Sequence, residues 1–237
     1  YYYPSQLKPI RLNGSGDSAR WVEAREGESW DAQSGPRWTL QGLGSDEVKG
    51  TWRDGRRHLP IALKGVVNDS AADDLPCSSA AFMAGRTVPA VFDRTDDRGA
   101  GFAFTRLDYK PPTHFSDVAI TGFTFAPSRP GDARIVQALE AALPRGVVED
   151  EFVQCLAGSL GSLGIDGSWE QSIAPAFVDD SFLAVETAVG AFCGGARPNF
   201  WSFQTVYDRS SGEEVKLATW LGAAAWGESE YDLTPMS

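Results

Sequence analysis

The chain predicts an α+β protein: mostly antiparallel β-sheet with two central helices packed on one face, preceded by a small all-β N-terminal subdomain. Three observations carry this. The first third alternates apolar and polar residues with a period near two and turns on Asp54-Gly55. The middle carries two stretches whose apolar residues recur at three- and four-residue steps. Period-two segments then return. At 237 residues the chain can bury a full core as one large domain or two closely packed small ones.

Trp38 to Gly42 and Val48 to Trp52 read as strands, and His58 to Leu63 returns as the partner of the second. The polar stretch Asn68 to Pro76 has few apolar anchors, which places a boundary between residues 1–75 and 76–237. Beyond it, Val88 to Phe92, Phe102 to Leu107 and Val118 to Phe125 read as strands with one buried face. A helix opens at Asp132, whose carboxylate can accept the first free amides. It runs through Ile135, Val136, Leu139 and Leu143 and stops at Pro144. A second helix spans about Glu149 to Leu160, with Phe152, Cys155, Leu156 and Leu160 along one stripe and acidic residues at its start. Gly158 to Gly167 reads as a glycine-rich loop. Strands follow at Trp169 to Phe177, Phe182 to Phe192, Phe203 to Tyr207 and Glu214 to Leu217.

Little catalytic apparatus is legible. No Gly-x-Ser-x-Gly elbow presents a nucleophile. The two histidines, His58 and His114, sit in a hairpin and a turn and read as surface or turn residues. Asp73-Asp74, Asp96-Asp97 and Asp179-Asp180 could serve as glycosidase carboxylates or calcium ligands. Each reads instead as a solvated turn without the spacing of a calcium loop. Gly158 to Gly164 lacks the lysine of a phosphate loop. No catalytic residue, metal or cofactor is expected, and the protein reads as a non-enzyme. A net charge of −11 repels nucleic acid and anionic membranes and attracts basic partners, although acidity also simply serves solubility.

The most specific stretch is Phe182 to Gly212. An apolar strand runs into Cys193-Gly-Gly-Ala-Arg-Pro198, then a strand into Tyr207-Asp-Arg-Ser-Ser-Gly-Glu213 and the apolar Leu217 to Leu221. This order resembles a bacterial cell-envelope domain family of unknown function. Its members include the extracellular, RsiV-like part of lysozyme-sensing anti-sigma factors, the non-catalytic part of some peptidoglycan deacetylases, and small lipoproteins. The family's Cys/Gly-Gly-Ala-His-Pro has Arg197 in place of histidine here. The resemblance extends loosely over residues 80 to 225. It implies an address in the periplasm or outer envelope, secreted or anchored by a lipid upstream of this chain. The opening Tyr1-Tyr-Tyr-Pro4 is compatible with a trimmed product, and no apolar run reaches the roughly 18 residues of a membrane span.

In an oxidising compartment the natural pair among Cys77, Cys155 and Cys193 is Cys155 with Cys193, leaving Cys77 over. The alternative is three reduced, buried thiols. Arg197, Pro198, Asn199, Phe200 and Trp201 read as an exposed loop with the composition of an interface anchor. Together these point to a binding protein that inhibits or senses a basic peptidoglycan hydrolase such as lysozyme, an immunity protein being one form of such an inhibitor. A peptidoglycan- or carbohydrate-binding module that uses the eight tryptophans is the alternative.

Overall fold

The computed structural model describes residues 2–3, 5–14, 19–24, 33–65 and 76–216. It is mixed α+β and mostly antiparallel, as the sequence predicts. The expected boundary at residue 75 and the apolar Leu217 to Leu221 lie outside the described residues, as do Asp73-Asp74.

A five-stranded meander comes first: β1 (Leu12–Gly14), β2 (Arg20–Glu23), β3 (Arg37–Gln41), β4 (Glu47–Asp54) and β5 (Arg57–Lys64). The Asp-Gly signal is met, since Gly55 takes φ +57° in the β4–β5 turn. Strict alternation puts one row of each strand inward. Trp38, Leu40 and Ile61 form the core of this sheet. Trp21, Trp38, Trp52 and Leu59 are successive cross-strand partners on that inner side. Glu23 Oε2 accepts the indole N–H of both Trp38 and Trp52 at 2.9 Å. These tryptophans are thereby tied into the structure.

The second sheet has six strands in the order β11-β10-β9-β8-β7-β6. They are β6 (Phe92–Gly99), β7 (Phe102–Tyr109), β8 (Val118–Thr124), β9 (Ser168–Val178), β10 (Phe182–Phe192) and β11 (Asn199–Asp208). All neighbours are antiparallel except β8 and β9. A parallel neighbour requires a crossover. Both long helices, α2 (Asp132–Ala141) and α3 (Glu151–Leu163), lie in that crossover, following the short α1 (Ala80–Ala84). Ile135 and Leu139 of α2 pack with Leu107, Ile173 and Val185 of the sheet, while Phe152, Val153 and Leu156 of α3 pack with Ile120 and Trp169.

Several sequence expectations are corrected. Residues 88–91 form no strand, and β6 begins only at Phe92, so Asp96-Asp97 lie in a strand instead of a turn. Gly158 to Leu163 extends α3, which ends where Gly164 takes the left-handed φ of +72°. The apolar stripe continuing through Leu160 outweighs the two glycines. Glu214 makes a single bridge to Tyr207 rather than starting a strand among the described residues. Asp132 does not cap α2: Gly131 holds that position, and the Asp132 carboxylate turns back to the preceding loop and to Arg209. Asp150 is the N-cap residue of α3, yet it too turns back, accepting the amides of Gly146 at 2.6 Å and Val147 at 3.0 Å.

Candidate functional site

The disulfide Cys155–Cys193 is present, and Cys77 is the free cysteine. Cys155 faces the core from α3, and Cys193 follows directly after the last residue of β10, Phe192, so the bridge clips helix to the end of the sheet strand. The backbone then reverses at Gly194. With φ +92° and an added Cβ only 2.1 Å from Ser162 Oγ, this position requires glycine. The Cys-Gly-Gly segment is therefore a close crossing of α3 that sets the direction in which β11 departs.

The expected loop Arg197 to Trp201 is largely strand. Only Arg197 and Pro198 remain outside; Asn199, Phe200 and Trp201 open β11. The β10–β11 ladder, from Ala191↔Asn199 to Phe182↔Asp208, is continuous, and its pairing energy overrides the turn preference of Pro-Asn. Strand geometry then separates the five candidate residues by face. Asn199, Trp201, Phe203 and Thr205 share the face covered further in by the helices, and Phe200 points to the other side.

On the helix side, Trp201 meets Trp169 edge to face, with ring centroids 5.9 Å apart. A groove of about 250 Å³ lies there between Ala138, Ala142 and Glu151 of the helices and Thr187, Trp201 and Phe203 of the sheet. On the opposite face a trough of about 490 Å³ runs past Asp117, Glu170, Gly190 and Phe200. Gly190 is the cross-strand partner of Phe200, and the ring remains 75% exposed. Phe203 is 52% exposed.

The two edges of this sheet differ in chemistry. β6 carries Asp93, Arg94, Asp96, Asp97 and Arg98, a charge pattern that discourages a further strand. β11 carries no charge before Asp208. The exposed rings of Phe200 and Phe203, both missing a covering layer among the described residues, are flanked by the carboxylates of Asp117 and Glu170 on one face and Glu151 on the other. Such an arrangement suits docking of an apolar, cationic surface.

The turn closing β11 has a structural role that the sequence alone does not disclose. Asp208 Oδ1 accepts the amide and the hydroxyl of Ser210, both at 2.7 Å, and these bonds hold its carboxyl below the usual range. The turn thereby presents Arg209 inward. Its guanidinium meets Asp132 Oδ1 at 2.9 Å and Oδ2 at 2.7 Å, and donates to the Asp179 carbonyl at 2.7 Å. Burial opposes ionisation of Asp132, but the bonds from Arg209 and from the amides of Ser128 and Arg129 outweigh it and lower its pKa.

His114 lies in a turn, as expected, but is buried in it rather than at the surface: Nε2 lies 2.7 Å from the Arg86 carbonyl, and its ring packs on Phe115. Burial, the largest influence, lowers its pKa, so the neutral ring donates to that carbonyl. Arg86 forms a bidentate pair with Asp166 at 2.8 and 2.6 Å. In the Asp179-Asp180 turn, Asp179 caps the amides of Ser181 and Phe182, and Asp180 pairs with Arg129. Among the described residues no group of histidine, cysteine and carboxylate side chains could hold a metal ion, and no helix is long and apolar enough to cross a membrane.

No family model matches the chain, and no curated protein matches it. Among solved structures it is similar to a DUF3298 family protein from Pseudomonas aeruginosa PAO1, with 18% identity and a TM-score of 0.33, over 55% of this chain and 57% of that one. The match thus spans less than two thirds of that protein's length.

Proposed function

We propose that the protein is a cell-envelope binding protein that recognises a basic peptidoglycan hydrolase, such as a lysozyme, and blocks or senses it without cleaving anything. Residues 76–237 would be the binding domain and residues 1–75 an accessory β subdomain. The observation that carries this is the strand β11, uncharged from Asn199 to Tyr207, whose exposed Phe200 and Phe203 stand beside Asp117, Glu170 and Glu151. Apolar anchors within an acidic surround favour a cationic protein partner. The net charge of −11 speeds the encounter. The RsiV-like resemblance of Cys193 to Pro198 and Tyr207 to Glu213 supports an envelope address, secreted or lipid-anchored.

Inhibition assays against a panel of lysozymes and other glycan hydrolases test this, alongside binding to purified peptidoglycan. Replacing Arg197 and Phe200 together by alanine should weaken hydrolase binding while leaving the melting temperature nearly unchanged. Raising salt should slow association far more than dissociation, because exposed charges are screened over about 8 Å at physiological ionic strength. If no hydrolase is bound and isolated glycan binds well, a carbohydrate-binding module replaces this function. Trp38 is buried and Trp52 shares its Glu23 acceptor, so these two indoles make a poor sugar platform.

A further inference from the structure

The outer face of the N-terminal sheet has a charge opposite to that of the whole chain. Arg20, Arg37, Lys49, Arg53 and Lys64 lie on it, with Glu47 as its one carboxylate among the described residues. All six are exposed, on a chain whose net charge is −11. The ladder aligns three of this face's basic residues in one row: Arg37 is the direct partner of Arg53, and Arg53 of His58. Like charges placed directly opposite each other destabilise a sheet. No carboxylate of the described residues lies within ion-pair distance of Arg37 or Arg53; Arg53 Nε donates only to the Gly55 carbonyl, at 3.3 Å. The adjacent row supplies Thr39 and Thr51, and the residues together line an open trough of about 600 Å³.

We propose that this face binds a linear anionic polysaccharide, laid across the strands with its acidic groups on Arg37 and Arg53 and its hydroxyls on Thr39 and Thr51. The chemistry of the face selects this occupant. Guanidinium forks bind carboxylate and sulfate groups with two parallel hydrogen bonds. Pro60 and Ala62 are the only exposed apolar side chains on the face among the described residues, so it lacks the anchors of a protein interface. An anionic membrane would confront the acidic remainder of the protein as well, whereas a single polymer chain meets only the basic face. The inference stands independently of the hydrolase reading, since it concerns a different sheet and a partner of opposite charge.

Affinity electrophoresis and titration of the whole protein with heparin and with polygalacturonate, at low and rising salt, provide the test. Binding should weaken linearly in log salt. The double substitution Arg37→Ala with Arg53→Ala should lower affinity about tenfold and flatten the salt slope by about two, one released counterion for each lost contact. A control pair on β6, Arg94→Ala with Arg98→Ala, should bind as the unaltered protein does. The melting temperature of the Arg37/Arg53 variant should not fall, since a like-charge pair has been removed. The proposal is overturned if neither polysaccharide binds at low salt, or if the Arg37/Arg53 variant binds unchanged. Tighter binding of polyglutamate, of single-stranded DNA or of phosphatidylserine vesicles than of the polysaccharides would also overturn it, assigning the face to an acidic protein, a nucleic acid or a membrane.

Discussion

Arg209 and Asp132, 77 residues apart, form a buried ion pair in which Nε and one terminal nitrogen of the guanidinium each meet a different carboxylate oxygen, at 2.9 and 2.7 Å. It joins the turn after β11 to the first turn of α2, and so fixes the far end of the candidate binding strand to the helix layer. Asp132 is fully buried and Arg209 nearly so. Removing either partner alone strands the other as an uncompensated charge. Arg209→Ala or Asp132→Ala should therefore cost about 3–5 kcal/mol in denaturant unfolding. The double replacement Arg209→Met with Asp132→Leu should recover most of that loss. Equal destabilisation by the single and double variants would show that the pair is not the source.

Acid should act on the same pair. The folded Asp132 carboxyl is held below its ordinary value, so the unfolded chain takes up its proton first as pH falls. Its contribution is complete above the unfolded value of about 3.9 and is lost as pH drops below that, through the lower folded value. Unfolding midpoints measured from neutral pH downward should show a steep decline below about pH 4, and the Asp132→Asn variant should show a shallower one.

The Cys155–Cys193 bridge closes a loop of 38 residues in sequence separation. Replacing both cysteines by alanine should cost about 4 kcal/mol by the loop-entropy relation. Chemical denaturation with and without reductant measures this. Since Cys77 is unpaired, one free thiol should titrate in the unfolded, non-reduced protein. Three free thiols would show that the bridge does not form.

Glu23 holds two indoles at once, accepting from Trp38 and Trp52 at 2.9 Å each. Glu23→Ala removes the carboxylate that accepts from the fully buried Trp38 and should cost about 1–3 kcal/mol. Near-ultraviolet circular dichroism should change with it, reporting altered tryptophan packing. Glu23→Gln keeps an acceptor and should retain most of the stability.

Local chemistry made much of the fold legible. Period-two runs located β3, β4, β5, β7, β8 and β9, because a sheet with one buried face imposes that period on each strand separately, and β10 was legible as an apolar run closed by the Cys-Gly-Gly kink. Three- and four-residue recurrence located α2 and α3, and the stripe through Cys155 placed that cysteine against the core. Short pieces escaped. β1 and β2 have three and four residues, too few to show a period. Arg197 to Trp201 was legible as an exposed aromatic and cationic segment, but its conformation was not.

The sequence by itself determined the α+β class, the Asp-Gly and Asp-to-Gly turns, and the acidity, all of which depend on residues close together in the chain or on composition; the Cys155–Cys193 pair, 38 residues apart, was the natural expectation, and the packing of α3 on β10 decided it. Tertiary structure decided the rest. It made Asn199, Phe200 and Trp201 a strand, since pairing with β10 supplies hydrogen bonds that a Pro-Asn turn preference cannot match. It buried His114 beneath Arg86 and turned Asp132 from a helix cap into the partner of Arg209. It also set Arg37 beside Arg53, an opposition that exists only once the strand register is fixed. Contacts between distant residues depend on which surfaces the packed core brings together, and no local pattern in the chain encodes that choice.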